Sequence, residues 1–465
     1  VKPLWLIFWL WTTTLMGQQT LTLEAARQMA LKNNKTLQAA KATAHAARQD
    51  KKGAFTHFLP AVTAAGNVQR MHKSFKYETP DMALPVADAQ GNVILVTDGA
   101  GNPVTGADGK PIVKNWAVLP SQTLSLSRDN LSFLSIGITQ PLFTGGKVLH
   151  QYKARTALAK AAASGLYRQR AELMLKTDMA YWRVAELVEK TALARQYCTL
   201  IQKHMDDLNN LKAEGVITKN DVLKVTVKEN EAQLNRLKAE NGLKLSQMAL
   251  CQLLGLPLDT VILTADTPEA AQGPAQVKTP QPRPEIEMLD QAVALAGADV
   301  GLQRSRYFPN LLAHAHYTWM NPNPWNSLAD EFGSDWSVGV GLQWDLFHWN
   351  ERGFKLSAAK SRRKAALRQR EEAREMVDLE IRQARFQCAE ADKRHTMAQS
   401  SLEAADENLR LTQEQFSEGV AASTDVLDAQ TLWQNAHTEL IEAQIERRLS
   451  QTRLEKALGC LGKDR

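Results

Sequence analysis

The sequence predicts a membrane protein of mixed α and β class, with a few short strands forming barrel wall and very long helices forming coiled-coil rods. Three observations carry this reading. Four segments alternate apolar and polar residues with period two, two long stretches run without proline, and the chain repeats itself at a fixed offset. In the 465 residues, 44% are hydrophobic, 23% charged and 6% aromatic. That excludes a polytopic helical membrane protein, which needs repeated apolar runs of about 20 residues, and it argues against wholesale disorder. The net charge is only +6, with Lys and Arg interspersed among Glu and Gln in stretches such as Arg362–Arg385. These read as solvated helix faces, and no motif or aromatic-basic patch points to nucleic acid.

The first element, residues 1–17, reads as a secretory signal peptide. Lys2 precedes the short apolar run Leu4–Leu10, too short to span a bilayer, and small or polar residues follow. Cleavage falls near Gly17, although Leu15 is large for its position. No cysteine lies there, so export without a lipid anchor is expected. Cys198, Cys251, Cys388 and Cys460 form no C-x-x-C pair and no ligand spacing with His. All four fall in helical patterns, which favours lone thiols over disulfides or zinc.

Residues 18–256 form the first half, 257–283 a proline-punctuated linker, 284–459 the second half and 460–465 a tail. The halves are related by an offset of 204 residues: Leu142-Phe143 recurs as Leu346-Phe347, Glu214-Gly215-Val216 as Glu418-Gly419-Val420, Asp221-Val222-Leu223 as Asp425-Val426-Leu427, and Leu254-Gly255 as Leu458-Gly459. One register without a gap over this distance suggests packed rods, since loops accept insertions and rods do not. Upstream, Phe58-Leu59-Pro60 matches Tyr307-Phe308-Pro309 at offset 249, so the first half carries an insertion, about Lys73–Asn130. Its Asp-Gly and Gly-Asn pairs are turn signals without EF-hand spacing, so a long exposed loop with small hairpins is expected.

Each half then reads helix, strand, loop, strand, long helix, turn, helix. The clearest strand is Trp336–Leu346, in which Trp336, Val338, Val340, Leu342 and Trp344 alternate with Ser337, Gly339, Gly341 and Gln343. Leu311 to Trp319 alternates with His314, His316 and Thr318, broken by Leu312. Leu134, Ile136 and Ile138 give a third, and Val62, Ala64 and Val68 a weaker fourth. At about 9–11 residues each has the length of a tilted transmembrane strand, and five Trp between Trp319 and Trp349 suit interfacial girdles. Four strands cannot close a barrel, and open edges in lipid leave backbone groups unsatisfied, so several chains must combine. Two would give eight strands and three would give twelve.

The long helices are expected over Gly146–Glu214 and Asn350–Glu418, each roughly 100 Å at 1.5 Å per residue. Their tip turns fall near 215–221 and 419–425. A rod of that length needs partners along it. The sparse Ala-rich stripe through Leu173, Ala180, Leu187 and Leu193 suits the wall of a water-filled tube. No nucleophile elbow, P-loop, dinucleotide fingerprint or His-Glu-x-x-His occurs. His314 and His316 share a strand face and could hold a metal, but polar lumen-facing residues are the simpler reading. No cofactor, resident metal or enzymatic activity is expected.

Taken together, Leu21-Thr-Leu-Glu-Ala-Ala26 with Asn33-Asn34, Arg283-Pro-Glu-Ile286, Arg304-Ser-Arg-Tyr-Phe-Pro-Asn310, Gln140-Pro-Leu-Phe143 and the two Gly-Val-x4-Asp-Val-Leu turns carry a resemblance. The chain resembles the TolC-type outer-membrane efflux proteins over essentially everything after the signal peptide. The resemblance implies a homotrimer: a twelve-stranded β-barrel in outer-membrane lipid continuing into a twelve-helix periplasmic tube. It implies passive conduction, with substrate delivered by a periplasmic adaptor (membrane fusion) protein and an inner-membrane transporter. It implies that Asp425 and Asp428 ring the narrow entrance, and the i, i+3 spacing independently puts both carboxylates on one helix face. Six acids at a constriction would attract cations, while the plainer role is an acid at a helix N-terminus. In the first half Lys224 replaces the second acid. Asp221 matches a residue that latches the closed tip, Phe416 an aromatic gate, and Gly215, Val216, Gly419 and Val420 the turns that meet the adaptor. Ala421 stands where some relatives carry a latching Arg, so the closed tip must be held differently.

A soluble periplasmic coiled-coil adaptor or scaffold is the alternative, weakened by the lipid-facing bands. A general porin is disfavoured by having only four strands per chain. Cargo cannot be read, because the pump selects it.

Overall fold

The computed structural model describes residues 19–70, 72, 76–125, 130–267, 279–326 and 330–462. The expected signal peptide lies outside the described residues, as do 268–278 of the linker, 463–465 of the tail, and 73–75 and 126–129 at the ends of the insertion. The chain divides into two compact units: a helical one from residues before 55, 147–304 and 349 onward, and a strand unit from 55–146 and 305–348.

In chain order the elements are β1 (Gln19–Leu21), α1 (Leu23–Asn33), α2 (Lys35–Thr56), β2 (Ala61–Arg70), β3 (Lys76–Glu78), β4 (Met82–Pro85), β5 (Trp116–Leu119), β6 (Thr123–Ser125), β7 (Asn130–Phe143), α3 (Lys147–Ala213), α4 (Lys219–Leu254), β8 (Ile262–Thr264), α5 (Pro284–Ser305), β9 (Asn310–Asn321), β10 (Gly333–Gln343), α6 (Glu351–Ser417) and α7 (Ser423–Ala457).

Within the helical unit, α3 packs against α4 on one side and α7 on the other, and α6 packs against α7. Both α3 and α6 are 67 residues long, within a residue or two of the bounds read from the absence of proline. Their burial differs from the narrow seam expected of both. Helix α6 buries Ala359, Ala384, Cys388, Ala391, Ala398 and Leu409, spaced along one stripe. Mid-helix, α3 buries Tyr181, Trp182, Val184, Ala185 and Leu187 almost consecutively, because α1, α4 and α7 all pack around it. The sequence motifs acquire local reasons here. Asn34 Oδ1 accepts from the N–H groups of Thr36 and Leu37 at 3.0 and 3.2 Å, capping α2. Asn33 and Asn34 donate side-chain N–H to the carbonyls of Leu254 and Leu253, closing the end of α4. Arg283 does the same for α7, donating to the Ala457 carbonyl at 2.9 Å while pairing with Glu285 and Glu380.

The strand unit is a four-stranded antiparallel sheet in the order β10-β9-β7-β2. Register puts Val62, Ala64 and Val68, Leu134, Ile136 and Ile138, Ala313, Ala315 and Tyr317, and Trp336, Val338, Val340 and Leu342 on one face. That face is exposed within the chain: Val338 is 71% and Val340 62% accessible. The opposite face carries Thr63, Asn67, Ser135, Thr139, His314, His316, Ser337 and Asp335. Strands β2 and β10 are its edges. Strand β7 has 14 residues, longer than expected, with a bulge between Pro141 and Phe143, where proline cannot donate to the ladder.

The insertion is more ordered than a loop. Strands β3 and β6 pair, as do β4 and β5. Beyond them, Val96 N donates to Ile112 O, Ile112 N to Val104 O and Val104 N to Val96 O, each at 2.8 Å, closing a three-membered ring of hydrogen bonds. Asp88 and Asp98 sit at turns radiating from this hub, each accepting two backbone N–H groups two and four residues on. These are Asx turns. The N–H groups of Asn92 and Asn102, foremost, hold the two carboxyls below their ordinary pKa.

The free cysteines are Cys198, Cys251, Cys388 and Cys460, the second and third of them buried. No described helix is long and apolar enough to cross a membrane.

Candidate functional site: the helix-to-helix turns

The turns joining α3 to α4 and α6 to α7 repeat one geometry. Gly215 and Gly419 both have φ of 78°, the left-handed region that favours glycine at a helix C-terminus. Val216 N donates to Leu211 O at 2.9 Å and Val420 N to Gln415 O at 2.8 Å. The two valines are 67% and 76% accessible, so each turn presents a glycine kink and an apolar tip.

The acids after the turns have definite local work. Asp425 Oδ2 accepts the Ala422 N–H at 2.9 Å. Asp221 Oδ2 accepts from the Thr218 hydroxyl at 2.7 Å and, more loosely, from the Thr218 N–H at 3.3 Å. Both carboxylates therefore satisfy an orphan donor at a helix start, the plainer role set out above. The Thr218 hydroxyl and N–H, followed by Lys224, hold the Asp221 carboxyl below its ordinary pKa. Asp425 and Asp428 are both exposed on one side of α7, while Val426, Leu427, Ala429 and Gln430 are buried on the other. The carboxylate of Asp428 also acts at longer range on Lys228 of α4.

Phe416 does not project freely. It packs against a buried cluster of Tyr197, Ile201, Met205, Leu208, Val225, Ala232 and Leu427, and its ring meets His204 edge-on at 5.2 Å. His204, which the sequence did not single out, is only 4% accessible and its Nε2 lies 2.9 Å from Ser423 Oγ. The offset of 204 residues maps it onto Asn408, so the repeat gave no signal for it. His204, Phe416 and Gln430 line a cavity of about 420 Å³ with Lys203, Asp207 and Val426. About three helical turns back from the α6–α7 turn, the two helices are tied by Asp406, which accepts from Trp433 Nε1 at 2.7 Å and faces His437 at 3.8 Å.

Burial pushes the pKa of His204 down, and Asp207 and Ser423 oppose this only in part. A neutral imidazole is thus favoured in the packed state, and protons bind preferentially to a loosened one. Packing at the turns should be at full strength above about pH 6.5, the ordinary histidine value, and weaken as pH falls below it. Corrected for the intrinsic pH dependence of amide exchange, the protection of α3 residues 200–211 should be lower at about pH 5.5 than at neutrality, and His204→Gln should flatten that dependence. The same pH dependence of protection in both proteins would remove the role.

Comparison with known proteins follows the same lines. The sequence model described as "Outer membrane efflux protein" matches residues 114–256 and 278–460. The chain is 23% identical to Outer membrane protein OprJ of Pseudomonas aeruginosa over 321 residues, covering 67% of this chain and 64% of OprJ, just under two thirds of that relative. It is 24% identical to Alkaline protease secretion protein AprF of the same organism over 346 residues, covering 72% of this chain and 71% of AprF. The solved outer-membrane channel OprN superimposes with a TM-score of 0.74 at 18% identity, over 94% of this chain and 89% of OprN.

Proposed function

The chain belongs to the outer membrane efflux protein family, and from that membership we propose that it is the passive outer-membrane duct of a tripartite export system, working as a homotrimer. It is an outer-membrane protein, and the soluble-adaptor alternative falls with the family assignment. The observation that carries the trimeric reading is the four-stranded sheet with one apolar and one polar face and two edge strands, in a chain that also carries two 67-residue helices. In lipid those edges require pairing. Three copies supply twelve strands, enough to leave a pore, and twelve helices from α3, α4, α6 and α7. The outer helices α4 and α6 support closure between copies. Both expose apolar side chains, Val227, Leu234 and Leu245 on one and Phe354, Phe386 and Met397 on the other.

In this reading Val216 and Val420, lifted by Gly215 and Gly419, are the contacts for a periplasmic adaptor. An inner-membrane transporter supplies the energy and selects the cargo, and the duct performs no catalytic step. Phe416 and Asp221 belong to the closed gate. The test is outer-membrane fractionation followed by native mass of the detergent-solubilised protein. Three chains in a heat-dissociable species is the expected result, and a monomer or dimer overturns it.

Asp425 and Asp428 are assigned to a cation-attracting ring at the entrance. Asp428→Asn, which leaves the α7 cap intact, should shift the reversal potential of planar-bilayer currents away from cation selectivity, and Asp425→Asn/Asp428→Asn should shift it further. Unchanged reversal potentials in both variants would remove the ring. Asp425→Ala alone carries a second cost, about 0.5–1.5 kcal/mol for the lost hydrogen bond from the Ala422 N–H.

A further inference from the structure

Strand β9 carries two histidines to which the proposed function assigns no role. His314 and His316 are two residues apart on a strand, so both lie on the polar face of the sheet. Their ring centres are 5.5 Å apart. Each ring lies over a glycine of a flanking strand, His316 over Gly137 of β7 and His314 over Gly339 of β10, the residues paired with them in register. The fit is close. A Cβ at Gly339 would stand 2.7 Å from His314 Nε2, and one at Gly137 would collide with His316 Nδ1. Among the described residues neither imidazole makes a hydrogen bond or ion pair.

We propose that His314 and His316 form a bidentate site for a borderline divalent metal ion of the Cu²⁺ or Ni²⁺ class. Imidazole is the commonest ligand for these ions. Metal–nitrogen bonds of about 2.0–2.1 Å to two adjacent imidazoles put the ring centres about 5 Å apart, close to the spacing already present. Each glycine leaves one ring room to lie over a flanking strand, with the two ring planes tilted by 41°. No group of three or more His, Cys, Asp or Glu with metal-holding geometry occurs among the described residues, so the remaining coordination positions belong to water. That makes the site open and exchangeable rather than structural. Hard ions such as Ca²⁺ and Mg²⁺ are excluded, because they require a set of oxygen ligands. Asp335 of β10 is the one other titratable side chain on this stretch of the face, one pair further along opposite Thr318. It adds negative charge without completing a ligand set.

On the duct reading this face lines the barrel, so occupancy would add two positive charges per chain to the lumen and reduce cation conductance. Binding itself does not depend on that reading. The experiment is a titration of the detergent-solubilised full-length protein with Ni²⁺, followed by calorimetry, and with Cu²⁺, followed by electron paramagnetic resonance. The expected result is one ion per chain with nitrogen ligation in the Cu²⁺ spectrum. His314→Ala and His316→Ala should each weaken Ni²⁺ binding at least tenfold, Gly137→Ala should weaken it while both ligands remain, and His45→Ala on the exposed face of α2 should leave it unchanged. Absent binding, or binding of equal strength in His314→Ala/His316→Ala, overturns the proposal. Specific binding with conductance unaffected by Ni²⁺ upholds the site and counts instead against this face lining the lumen.

Discussion

Asp178→Ala should destabilise the helical unit by about 3–5 kcal/mol, the range for removing one partner of a buried ion pair. Asp178 on α3 is 0% accessible. It accepts from Arg27 of α1 through two bonds, Nε to Oδ1 at 2.8 Å and Nη2 to Oδ2 at 2.6 Å, and from Thr452 Oγ1 of α7 at 3.1 Å. One carboxylate therefore joins three helices, and its hydrogen bond is the main cause of the raised pKa of Arg27. Truncating it leaves the largely buried Arg27 guanidinium, which cannot discharge by deprotonation, with only the exposed Glu24 carboxylate at 3.6 Å as an ion-pair partner among the described residues. The cost comes from the poorly compensated charge rather than from the pair itself, which separates this account from simple loss of contact. Asp178→Leu/Arg27→Met, which removes both charges and keeps volume, should recover most of the loss. Chemical denaturation followed by helical circular dichroism reads both variants. Equal destabilisation by the single and the double substitution would refute the mechanism.

Neither residue of that pair stood out in the sequence, and the reason is physical. Periodicity reports local geometry, and α3, α6 and the strands are local: the absence of proline bounds the two long helices, and alternation bounds β9 and β10. Asp178 is an acid in a charged helix until α1 and α7 close over it. The same holds for His204, whose importance comes from Phe416 on α6 and Ser423 on α7, more than 200 residues away. The repeat was legible at the turns because both halves need the same glycine conformation there. It said nothing of the difference between α3 and α6, since equal sequence offsets do not imply equal neighbours. Asp425 shows the limit most clearly. The sequence allowed a ring acid or a helix-start acid, and the hydrogen bond from Ala422 N–H shows the second without excluding the first.

The face of the sheet is the other point at which a single substitution decides between readings. Val338 is the middle residue of β10, pairs with Ala315 of β9, and lies on the apolar face between Trp336 and Val340. If that face meets lipid, Val338→Arg places a charge near the bilayer midplane at a cost of about 2–4 kcal/mol. Because β10 is an edge strand, which on the proposed trimeric reading pairs with another copy, the penalty would recur in every chain and should prevent assembly of the proposed heat-dissociable oligomer. Thr63→Lys, on the polar face of β2, should assemble normally and change only conduction, since a lumenal charge remains in water. Gel mobility before and after heating, together with outer-membrane yield, measures both. The opposite outcome, with Val338→Arg assembling and Thr63→Lys failing, would invert the wall and put the two histidines of β9 in lipid. The face assignment falls on that result, whereas metal binding by the two histidines is read by its own titration and the Arg27–Asp178 pair is independent of both.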